Sequence, residues 1–191
     1  YKYPYLSIDH LKMGVIRSGQ CKLPADSNDT ELTNYLWPIV REMIKTCIEN
    51  SQNMIIEGCY IPFGWEKDFT DEYVEQIKYV CLIFSQEYIK HSSQNILEYE
   101  NVIEKRLSTD VTFEDVSKIN RYNLEQCISR KYNYILIDKN YQINIDDIIW
   151  IISSSSPFLK NILTYMYMSA LLTCTCWSYL HAYVNIANMY M

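Results

Sequence analysis

The 191-residue chain carries 17 Lys and Arg against 23 Asp and Glu, a formal charge of -6. With no basic block, this excludes a nucleic-acid backbone as its main partner. The length suits one domain with a real core and falls short of two of ordinary size. Seven cysteines form an odd set, close-set only at Cys174-Thr175-Cys176, which points to reduced thiols in the cytoplasm rather than a disulfide framework.

The chain opens on Tyr1-Lys2-Tyr3-Pro4 with neither an initiator Met nor a basic-then-apolar leader, and it reads at once as the approach to a strand. Tyr5 to Ile8 is a short strand with Asp9 at its carboxyl end. Leu11 to Ile16 is a brief helical or turn segment ending near Gly19, and residues 20 to 30 are a polar loop. From Glu31 the apolar positions Leu32, Leu36, Ile39, Val40, Met43, Ile44, Cys47 and Ile48 mark one buried helical stripe. Asp29 or Thr30 would cap this helix, and Pro38 should kink or restart it.

Asn53-Met54-Ile55-Ile56-Glu57-Gly58 is an unbroken apolar run that stops on an acid and a glycine. Such runs mark strands buried on both faces, as in parallel sheets covered by helices. Ligands of these sheets sit at the strands' carboxyl ends, which makes Glu57 a site candidate and Asp9 its neighbour if the strands are parallel. Gly58 permits a close approach of backbone or ligand, while the plainer reading has Glu57 capping a turn. The loop Cys59-Tyr60-Ile61-Pro62-Phe63-Gly64-Trp65 either walls a pocket or plugs the core.

Next come a short helix over residues 70 to 76, a buried strand over Tyr79 to Phe84, and an interrupted helix capped by Ser85 and running to Leu107. A helix from Thr112 to about Arg130 leads to a last strand, Tyr134 to Ile137. Strands and helices alternating at this interval predict an α/β fold, a parallel sheet flanked by helices. Residues 1–146 form this domain. Residues 147–191 are a different material, since after Asp147 only Lys160 is charged. The uncharged run from 161 to 191 exceeds the roughly 20 residues that cross a bilayer, but its Asn, Ser, Thr and His dilute it and basic flanks are missing. A packed helix, a membrane-associated segment and a frameshift product all remain open for it.

Four stretches, Tyr5-Leu6-Ser7-Ile8-Asp9-His10-Leu11, Leu36-Trp37-Pro38-Ile39-Val40, Ile55-Ile56-Glu57-Gly58-Cys59-Tyr60-Ile61 and Val102-Ile103-Glu104-Lys105-Arg106-Leu107, resemble small bacterial P-loop kinases. The nearest types are adenylate-kinase-like, AAA-family ATPase-like or 2-phosphoglycerate-kinase-like, and the resemblance covers about residues 1 to 145. It implies ATP and Mg2+, a small-molecule acceptor, and a glycine-rich loop ending in Lys-Ser or Lys-Thr. None of the four glycines, Gly14, Gly19, Gly58 and Gly64, precedes such a pair. The resemblance therefore implies that the first βα unit is lacking, and the chain is expected to bind nucleotide weakly and to turn over nothing.

The resemblance assigns roles to the remaining residues. Asp9 would orient the acceptor hydroxyl and take its proton, and Glu57 would lie near the magnesium or the acceptor. Arg17 and Arg41, with Gly58 and Tyr60, would hold the acceptor. Lys105 and Arg106, with Arg121, would be lid cations that neutralise the transferred phosphoryl group, with Arg106 counted among the catalytic residues. Helix-borne arginines are usually just solvated, which is the plain alternative for Arg17, Arg41 and Arg121. The competing function is a non-catalytic kinase-like binding module, tethered by the tail to a membrane or partner.

Overall fold

A computed structural model describes residues 4–98, 112–138 and 164–169. In chain order the elements are β1 (Tyr5–Ser7), α1 (Ile8–Arg17), α2 (Asp29–Glu49), β2 (Met54–Glu57), α3 (Asp71–Val74), β3 (Ile77–Phe84), α4 (Gln86–Glu98), α5 (Phe113–Arg130), β4 (Tyr134–Ile137) and β5 (Thr164–Ser169). Helix and strand are mixed, and every described strand pairing is parallel, as the continuous apolar runs require. The chain divides into two units, Tyr1–Val80 with Asn144–Met168, and Cys81–Ile143 with Ser169–Met191.

In the first unit β1 pairs with β2 in the register Tyr5↔Ile55, Leu6↔Ile56, Ser7↔Glu57, so both strands end side by side. The far edge of β2 takes β5, with Glu57 opposite Tyr167. Part of the uncharged stretch is thus a strand, and the rest of residues 147–191 lies outside the described residues. Among those described, no helix is long and apolar enough to cross a membrane, and none of the five described cysteines is in a disulfide.

Three local features differ from expectation. The segment after β1 is a ten-residue helix that starts at Ile8, so Asp9 stands in a helical first turn rather than at a strand end. The cap of α2 is Asn28: its Oδ1 accepts the Glu31 N–H at 2.9 Å, and its Nδ2 donates to Glu31 Oε2 at 2.7 Å. Pro38 lies inside α2, which continues as one helix of 21 residues. A mid-helix proline costs about 3 kcal/mol; burial of Leu32, Leu36, Trp37, Val40, Ile44, Cys47 and Ile48 along the stripe offsets it at about 1.5–3 kcal/mol for each large apolar side chain.

In the second unit the carboxyl half of β3 pairs with β4, from Cys81↔Tyr134 to Phe84↔Ile137. Its core is Leu82, Phe84, Tyr88, Ile89, Val116 and Ile137. Ser85 Oγ accepts the Tyr88 N–H at 2.9 Å and opens α4, which is interrupted at Ser92. Thr112 and Asp115 close a capping box on α5.

Asn120, 1% exposed, accepts the Phe84 N–H at 2.9 Å and donates to the Phe84 carbonyl at 2.6 Å. Since the Ser85 N–H donates to Ile137 of β4, alternation turns the groups of Phe84 away from β4, and Asn120 satisfies both. Asn120→Leu would orphan two buried backbone groups, so a loss of about 3 kcal/mol is expected in urea unfolding.

Candidate active site

The site is built where β1 and β2 end. A parallel pair in register delivers Ser7 and Glu57 to the same edge, and the chain after Ser7 turns at once into α1. Gly58 makes this close: its φ is +146°, and a Cβ there would lie 2.8 Å from Ile8 Cβ. The space beside Gly58 is therefore filled by the first residue of α1 and not by a ligand. Asp9, one residue on, is carried to within electrostatic reach of Glu57.

Five polar or amphipathic side chains in this corner are almost wholly buried: Ser7, Asp9, Lys12 and Glu57 at 1–3% exposure, and Tyr60 at 1%. Asp9 and Lys12 are three apart on α1 and share a face, with Lys12 Nζ 3.3 Å from Asp9 Oδ1. That contact has ion-pair distance without hydrogen-bond geometry. Lys12 Nζ also donates to the Tyr60 hydroxyl at 3.4 Å and lies 5.6 Å from the ring centroid, a cation–π arrangement. Tyr60 is thereby packed under Lys12 in the interior.

Glu57 is held from the other side by Tyr5, whose hydroxyl donates to Glu57 Oε1 at 2.5 Å. Burial is the main cause that lifts the Glu57 carboxyl from 4.5 to about 8, and the negative charge of Asp9 adds to it. The hydroxyls of Ser7 and Tyr5 pull the other way. Burial, and then the charge of Glu57, also push the Tyr5 phenol above its ordinary range. Ser7 Oγ is directed at this same pair closely enough to lower both groups, yet it makes no hydrogen bond of acceptable geometry.

The other expected site residues do not gather here. Arg17 is exposed in the last turn of α1, eight residues and roughly 12 Å of helix beyond Asp9. The Arg41 Nε bonds its neighbour Glu42 at 2.8 Å. Arg121 is exposed on α5 in the second unit, and Lys105 and Arg106 lie outside the described residues. Tyr5, Ser7 and Lys12 were not foreseen. The signal for Lys12 was its spacing of three from Asp9, which is informative only once α1 is known to begin at Ile8.

The residues do not fit a resident magnesium ion. Glu57 offers one carboxyl that keeps its proton at neutral pH, and Asp9 is matched by Lys12. Among the described residues no group of three or more His, Cys, Asp or Glu converges as a metal would need. The aromatic loop plugs the unit: Tyr60, Ile61 and Trp65 are buried, Trp65 meets Phe69 edge-on at 5.8 Å, and the Trp37 indole N–H donates to Asp68 at 2.7 Å. No family model, no curated protein and no solved structure matches the chain.

Two outcomes follow from the buried charges. Because Glu57 is raised to about 8 from 4.5, the folded state binds its proton more tightly than the unfolded chain does. Its contribution is fully present below the lower value and is lost as pH rises through the upper one, a swing on the order of 5 kcal/mol. Glu57→Gln cannot ionise and still accepts from Tyr5, so its melting temperature should match the parent below this window and exceed it above, as calorimetry across pH would show. Lys12→Met leaves the Asp9 charge uncompensated and should cost about 3 kcal/mol. Adding Asp9→Asn should recover most of that loss, and a double-mutant cycle in urea measures the coupling.

Proposed function

We propose that the chain carries the acceptor-binding part of a phosphotransferase akin to the small P-loop kinases, in which a small hydroxyl-bearing metabolite receives the γ-phosphoryl group of ATP. The observation that supports it is the meeting of Glu57, at the carboxyl end of β2, with Asp9, in the first turn of the helix that follows the parallel strand β1, at the edge where open α/β sheets hold ligands. Glu57, raised to about 8, is suited to move a proton, since a catalytic group works best with a pKa near the operating pH. Asp9, set in the first turn of α1 and balanced by Lys12, orients the hydroxyl. Magnesium would arrive with ATP. Without a glycine-rich Lys-Ser or Lys-Thr loop in its sequence, the chain by itself is expected to be inactive.

One observation favours a second reading, a non-catalytic binding module. Phosphoryl transfer wants cations on the transferred group, and neither Arg17 nor Arg41 pairs with Asp9 or Glu57. The readings part on nucleotide. Titration calorimetry of magnesium-ATP in the presence of a bound acceptor should give weak, acceptor-dependent heat for the phosphotransferase part and none for the module. Acceptors are found by ligand-observed NMR with a set of hydroxyl-bearing metabolites. Binding that weakens about tenfold in Asp9→Asn and in Glu57→Gln, the worth of one hydrogen bond to a charged or buried group, is the expected result. Binding indifferent to both substitutions would sink the assignment of this corner as the acceptor site.

A further inference from the structure

The charges around Glu57 cancel. Asp9 faces Lys12 at 3.3 Å, and Glu57 sits buried with the Tyr5 hydroxyl on it at 2.5 Å. Lys12 and Tyr60 close the far side, and neither Arg17 nor Arg41 pairs with either acid. An anion brought here would meet one cation that is already engaged, and a buried unmatched charge is costly.

What the corner lacks is hydrogen bonds. Ser7 Oγ, on a residue 2% exposed, leans on Glu57 and Tyr5 without a hydrogen bond of good geometry, and Asp9 Oδ1, on a residue 3% exposed, has ion-pair contact but no hydrogen bond. A ligand hydroxyl that donated to Asp9 Oδ1 and accepted from Ser7 would complete both. A second hydroxyl beside it would meet Glu57 were the Tyr5 phenol to swing off. Tyr5 is suited to move: it is 38% exposed and is the first residue of β1, which pairs with β2 through only three residues.

We propose that this corner selects an uncharged polyol, holding adjacent hydroxyls on Ser7, Asp9 and Glu57, and rejects compounds that carry a carboxylate or phosphate beside those hydroxyls. This rests on the acceptor-site reading above and narrows its substrate class.

The test is saturation-transfer NMR on the full chain, with myo-inositol and D-ribose as neutral probes and inositol 1-phosphate and D-glycerate as anionic ones. The neutral probes should bind at least about tenfold more tightly than the anionic ones, and Ser7→Ala should cost the neutral probes about tenfold while the amide NMR spectrum of the variant stays folded. Anionic probes that bind equally well and weaken in Asp9→Asn and Glu57→Gln would overturn the polyol inference and leave the acceptor-site reading standing. Neutral binding unmoved by Ser7→Ala overturns the inference as well. If no probe responds to either acid, both readings fall.

Discussion

The corner depends on a contact between a residue with no side chain and one with a branched side chain. Gly58 leaves β2 at φ +146°, with Ile8 so near that a Cβ would fall 2.8 Å from its Cβ. Any other residue at 58 would meet both a forbidden backbone region and the start of α1. Because the approach is allowed, the first turn of α1 lies against the end of β2, and two acids separated by 48 positions in sequence share one buried environment. The register Ser7↔Glu57 sets which residues meet, and the glycine sets how closely.

Once two carboxyls are buried together, their energetics are constrained. Both cannot be charged cheaply at short range in a medium of low polarity, and the two acids resolve this differently. Asp9 has Lys12 one helical turn away, while Glu57 has only neutral hydroxyls and so keeps its proton to about pH 8. Buried ion pairs seldom add stability over apolar residues of the same size. A cluster of this kind therefore adds little stability of its own, and the aromatic residues of the same unit serve stability directly. Trp65, Phe69 and Trp37 pack edge to face, and Phe69 carries Lys45 5.9 Å from its ring centroid.

The sequence was informative where one periodicity was enough. Continuous apolar runs marked β2, β3 and β4, the stripe from Leu32 to Ile48 marked α2, and Thr112 with Asp115 marked the start of α5. It was less informative where two signals competed. Ile8 reads equally as the end of a strand or the start of a helix, and taking it as strand hid α1 and with it Lys12 as the partner of Asp9. Pro38 carries a strong local signal for a break that the buried stripe overrides. For the arginines, helical position says which face a side chain is on but nothing of what stands opposite, so Arg17 and Arg41 could not be placed at or away from the acids. Thr164-Tyr165-Met166-Tyr167-Met168-Ser169 has strand-forming residues, but its partner β2 is more than a hundred positions away, and no local pattern encodes that pairing.

The two units end their strands in opposite ways, and the contrast bears on which end is functional. At Phe84 the backbone is closed off by Asn120, whose amide supplies one acceptor and one donor to groups that need one of each; no polar atom of that exchange is left over. At Glu57 the neighbours are side chains that can change proton or partner: a carboxyl, a phenol, a serine hydroxyl with no hydrogen bond, and an ion pair without hydrogen-bond geometry. A polar group buried for architecture alone is normally fully satisfied, as Asn120 is. Ser7 and Asp9 depart from that rule in the corner where β1, β2 and α1 meet, as the Trp65 indole N–H does inside the aromatic plug; what sets the corner apart is that its two departures adjoin a carboxyl and a phenol that can exchange a proton.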